Sequence, residues 1–139
     1  MRWRNIIEVL TISGVLGASG ACSAGRGAAS LPDYHEHYVR IEKEAERTLD
    51  LIIKERDEGQ RPFTPELFER LHVWAKRLTD ARLTLARTRE EKIRIVGAYL
   101  AQMKSLDDLP KRSFHMPDWG MTGYYVAEAE LWLERVKNE

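Results

Sequence analysis

The sequence predicts an all-α protein of long antiparallel helical hairpins packed as in a coiled coil, with three main helices, the central one longest. Three observations lead there. From residue 33 onward, apolar side chains recur at three- and four-residue steps, the period of a helix stripe. Residues that stop helices alternate with residues that start them, first Gly59 then Thr64-Pro65, later Pro110 then Pro117-Asp118. Charged residues make up 32 % of the chain and are scattered rather than blocked, which suits the solvated faces of long helices. With 139 residues there is room for one domain. The 22 Lys and Arg balance the 22 Asp and Glu, so the basic excess that grips nucleic-acid phosphates is missing and no nucleic-acid partner is expected.

Residues 1–22 read as a signal peptide. Arg2 and Arg4 precede a mostly apolar run, "IIEVLTISGVLGA", and small residues follow in "SGACSAG". The run is shorter than the roughly 20 apolar residues that span a bilayer as a helix. Cys22 is the single cysteine, which excludes an internal disulfide. Preceded by Gly20 and Ala21, it is the candidate lipid-bearing residue of a bacterial lipoprotein, which would tether the chain to a membrane through its N-terminus. Residues 23–32 read as a flexible small-residue linker, and residues 33–138 as the helical domain.

The first helix is expected over about residues 34–58, with Ser30 or Asp33 as its cap. Tyr38, Ile41, Ala45, Leu49 and Ile52 form its stripe. Gly59 ends it, because glycine accepts the left-handed backbone that other residues resist. Thr64 caps the next helix and Pro65 occupies its first position. Leu67, Leu71, Trp74, Leu78, Ala81 and Leu85 then follow a coiled-coil seam.

That seam slips after Leu85 and resumes at Ile93, Val96, Leu100 and Met103. An eleven-residue step from Leu85 to Val96 carries it across without a break, and no Gly or Pro lies between Pro65 and Gly97, so one helix is expected over about residues 65–107. The competing pattern takes Thr88 and Glu91 as a capping box that begins a new helix. Pro110 and Pro117 bracket the next loop. A last helix follows to about residue 137, with Tyr125, Ala129, Trp132 and Val136 on its stripe. The outer helices, about 37 Å and 30 Å long at 1.5 Å per residue, together match the central one, so each is expected to lie along a different half of it.

A degenerate repeat reinforces the pairing. "DARLTL" at 80–85 and "EAELWL" at 128–133 share an acid, an alanine, a charge and two leucines, while "TPELF" and "MPDWG" lie upstream of them. Two helix-turn-helix units of about fifty residues are expected. The stretch "LDLIIKERDEGQRPFTPELFERLHVWAKRLTDARLTLA" resembles the periplasmic α-helical hairpins of the TolC-type outer-membrane efflux family. Arg56, Gly59, Glu66, Leu67, Ala81 and Leu83 fall near that family's arginine, turn glycine, acid-aliphatic pair and alanine-leucine run. The second unit, "QMKSLDDLPKRSFHMPDWGMTGYYVAEAELWL", departs from the pattern in carrying Pro110 where a glycine is expected. The resemblance implies hairpin architecture and a tip that meets an adaptor protein, here Gly59, Arg61, Phe63, Thr64 and Pro65. It does not extend to the family's β-barrel, because the chain lacks the roughly 9 to 11-residue alternating segments of membrane strands.

Candidate chemistry is sparse. His35 and His37 are the weak metal candidates, but side chains two apart on a helix point about 200° away from each other, so no metal site is expected. His72 flanks the seam. Asp107-Asp108 and Glu90-Glu91 lie in charged stretches where solvation accounts for them. No Ser/His/Asp order, phosphate loop or cysteine nucleophile appears, so neither an enzymatic activity nor a cofactor is expected. Trp74, Tyr124, Tyr125 and Trp132 either pack the seam, where aromatic side chains carry large buried areas, or, in a body too thin to bury them all, serve as interface aromatics for a protein partner or for self-association. The expected function is that of an exported, non-enzymatic scaffold or partner-binding module of the periplasm or envelope. The alternative is a periplasmic metal sensor or chaperone with His35, His37, His115 and Met116 as ligands.

Overall fold

A computed structural model describes residues 34–59, 63–112 and 120–139. The signal and linker readings, Cys22, Arg61, His115 and Met116 lie outside the described residues. Within them the chain is all-α and forms no strand. Four helices follow one another: α1 (His35–Asp57), α2 (Pro65–Leu85), α3 (Arg89–Arg112) and α4 (Met121–Asn138).

The first turn is built as its residues dictate. Gly59 adopts φ +70° and its amide donates to the Arg56 carbonyl, closing the end of α1. Thr64 is extended, its hydroxyl accepts from the Leu67 amide at 3.2 Å, and Pro65 occupies the first turn of α2. Arg82, near the end of α2, reaches Glu42 and Glu46 near the start of α1 at 3.0 and 2.9 Å, so the two helices run in opposite senses. In the same way Lys92 meets Glu139, and Thr122 donates to Asp107 at 2.7 Å, which pairs the start of α3 with the end of α4 and the reverse.

The central helix is not continuous. It stops at Leu85, Ala86 turns extended at ψ 133°, and α3 starts afresh at Arg89. The cause is the capping box that competed with the seam. Thr88 Oγ1 accepts from the Glu91 amide at 3.1 Å, while Glu91 Oε2 accepts from the amides of Arg87 and Thr88 at 2.7 and 3.2 Å. Three orphan donors are satisfied locally, which outweighs the weak preference for carrying an irregular stripe forward. Among the described residues four helices therefore replace the expected three. At the other end α3 runs past residue 107 to Arg112 with Pro110 buried inside its last turn, where the amide hydrogen proline lacks costs a single ladder bond.

One apolar core joins the helices. It takes Ala45, Leu49, Ile52 and Ile53 from α1, Leu67, Phe68, Leu71, Ala75 and Leu78 from α2, Tyr99, Met103 and Leu106 from α3, and Tyr125 and Ala129 from α4. Ala81 of α2 and Ala129 of α4 are both buried.

Candidate functional site

The most chemically organised part of the molecule lies where α2 and α4 face each other over α3. His72 Nε2 is 3.1 Å from Glu128 Oε2, and Lys76 Nζ donates to Glu128 Oε1 at 2.5 Å, so one α4 carboxylate binds two α2 side chains a turn apart. The His72 ring stacks on Tyr125 with centroids 3.8 Å apart and planes 3° from parallel. Below them Tyr99 meets Trp132 edge-on at 5.6 Å. Its hydroxyl is buried and makes no hydrogen bond among the described residues.

The electrostatics follow from this half-dry setting. Burial pushes the His72 imidazole below its ordinary range, and the neighbouring Glu128 offsets this only in part, so His72 is neutral at pH 7 and its Nε2–H donates to the carboxylate. Burial pushes Glu128 up, but the hydrogen bonds from Lys76 and His72 outweigh it and hold the carboxyl below its usual range. Burial likewise pushes the Asp80 carboxyl up, eased by Lys76. The Tyr99 and Tyr125 phenols are raised, mainly by burial. A neutral imidazole tied to a carboxylate that also holds a lysine is a structural clasp rather than a free base.

Asp80 has a second role. It lines two open grooves at once, one of about 600 Å³ between α1 and α2 and one of about 550 Å³ between α2 and α4. Tyr38 and Ile41 flank the first, 36 % and 50 % exposed, and Tyr124 and Leu131 flank the second, 65 % and 53 % exposed. Four large apolar side chains are thus left in water on one side of the molecule, around the outward edge of α2. Asp80 and Glu128 each precede a buried alanine, and both open onto the α2–α4 groove.

The expected interface aromatics divide between these environments. Tyr125 is core, Trp132 half-buried against Tyr99, and Trp74 half-buried with the Arg77 guanidinium 4.6 Å from its ring centroid. Only Tyr124 of the four is exposed. At the expected tip, Phe63 packs on Phe68 with centroids 5.8 Å apart under the Arg56 guanidinium, and Thr64 and Pro65 serve the start of α2. Gly59 is exposed and supplies the left-handed turn. His35 and His37 are exposed near the start of α1, and among the described residues no group of three His, Cys, Asp or Glu side chains is placed to hold a metal ion.

Sequence reasoning missed two groups. His72 and Glu128 are 56 residues apart and nothing local joins them. Tyr38 and Ile41 sit on the predicted stripe of α1 yet stay in water, because the stripe is covered only from Ala45 onward. No helix among the described residues is long and apolar enough to cross a membrane. No family model, curated protein or solved structure matches the chain.

Proposed function

We propose that this is an exported, non-enzymatic helical protein of the bacterial cell envelope that works by binding protein across its α1–α2–α4 face. The observation that carries the reading is the exposure of Tyr38, Ile41, Tyr124 and Leu131 around two grooves that share Asp80. Exposed apolar side chains gathered around charged grooves are what protein contact surfaces present. The signal-like N-terminus supports export. The paired helices resemble efflux-protein hairpins in sequence, which supports a scaffold role. The contact site in this reading is the face rather than the Gly59–Pro65 turn, since Phe63, Thr64 and Pro65 are occupied in holding the turn together.

Fractionation of cells expressing the tagged full chain, with a photo-crosslinking residue at position 131 or, as control, at position 90 on the exposed start of α3, tests it. The expected result is an envelope-associated chain that forms protein adducts from 131 and not from 90. A cytosolic chain, or one with no adduct from 131, would overturn the proposal.

A further inference from the structure

We infer that the molecule covering this face is a second copy of the same chain, with α2 of one copy running antiparallel to α2 of the other. The inference rests on reading the face as a contact surface, and adds its occupant and register.

The charges select the occupant. The α1–α2 groove carries Arg40 and Arg77 against Glu44 and Asp80, and the α2–α4 groove carries Lys76 and Arg135 against Asp80 and Glu128. Asp80 is common to both grooves, so the face holds four basic and three acidic side chains, too evenly mixed to suit a polyanion, a strongly basic partner or an anionic lipid surface. The chain has a formal net charge of 0, so two copies approach without long-range repulsion.

The order of charges along α2 then selects the register. Arg77 and Asp80 both point outward and stand three residues apart, which makes them neighbours on the helix surface. Arg77 lies over the Trp74 ring, Asp80 lines the grooves, and neither forms an ion pair among the described residues. A two-fold interface is reciprocal: where residue i of one copy meets residue j of the other, j also meets i. With α2 antiparallel to its copy, Asp80 of each molecule faces Arg77 of the other, twice over. In a parallel pairing Asp80 would face Asp80. Asp80 is exposed and reachable from outside, while the protein around it and the nearby Glu128 raise its carboxyl, so a guanidinium from a second copy favours its charged form. Tyr38, Ile41, Tyr124 and Leu131 supply the apolar surround.

The extent of the face sets the strength. The face runs along an α2 about 31 Å long and offers four large exposed apolar side chains with two reciprocal charge pairs, fewer than the roughly 20–30 residues a side of a standard stable interface, so the dimer is reversible.

Sedimentation equilibrium on the full chain tests the register through charge exchange. Wild type should dimerise with concentration, and Arg77→Asp and Asp80→Arg, each placing like charges opposite, should each weaken dimerisation by about tenfold or more. An equimolar mixture of the two variants should restore it, because one copy then offers two acids and the other two arginines. A wild type that stays monomeric, single variants that dimerise like wild type, or a mixture no stronger than its components would each overturn the inference. Asp80→Asn, which removes the attraction without reversing it, should weaken the dimer to an intermediate degree, and circular dichroism confirms that each variant is folded. The crosslink at position 131 separates this inference from the reading beneath it. An adduct only to a different protein overturns the second copy alone, whereas no adduct overturns both.

Discussion

At the scale of single residues, the interior is set by two kinds of side chain that the helical period does not distinguish. Tyr99 is 1 % exposed, yet its hydroxyl has no hydrogen-bond partner among the described residues, so folding strips a polar group without compensation. Tyr99→Phe should therefore stabilise the protein by about 1 kcal/mol, measured by urea denaturation. Ala129 is 0 % exposed and is small because α4 meets the core there. Ala129→Leu should destabilise by about 1–3 kcal/mol through overpacking, read by the same measurement. The buried stripe of α4, Tyr125, Ala129 and Val136, was legible in the sequence because it keeps a regular step. Tyr38 and Ile41 were not, since period tells which side of a helix is apolar and not how far along that side a neighbour extends.

At the scale of elements, turns signalled by residues with a single conformational purpose were legible. Gly59 and Thr64-Pro65 place the first turn because one supplies a positive φ and the others satisfy or forgo amide donors. Gly59→Ala should cost about 1–2 kcal/mol in thermal denaturation, since the side chain has open space around it and only the left-handed backbone opposes it. The break at Ala86 was harder to read, because no Gly or Pro marks it. Its one local sign, Thr88 three residues before Glu91, competed with an apolar spacing from Leu85 to Val96 that a continuous helix accommodates. Thr88→Ala should destabilise by about 1 kcal/mol, checked by the chemical denaturation midpoint. An uninterrupted helix would leave it near neutral.

At the scale of the whole molecule, His72 and Glu128 tie α2 to α4, and the tie responds to pH. Because burial lowers the His72 pKa in the folded chain, the unfolded chain binds that proton more readily. The stability is complete above the ordinary histidine value near 6.5 and is lost as pH falls through the window just below it. Glu128, where burial is outweighed by Lys76 and His72, adds a further loss as pH falls through the carboxylate range. Urea midpoints should thus drop between pH 7.5 and pH 5.5, and His72→Gln should flatten that drop. This link joins positions far apart in sequence and has no local signature, which is why the fold class was readable and the site was not.

Chain order in this molecule is also contact order. The main packing pairs α1 with α2, α2 with α3 and α3 with α4, so each helix rests on the one made just before it. Helices neighbouring in sequence cost little entropy to bring together, and helical chains with such local topology fold in microseconds to milliseconds. The N-terminal pair is therefore able to form while α4 is still being synthesised, which leaves the Glu128 clasp as the last joint to close.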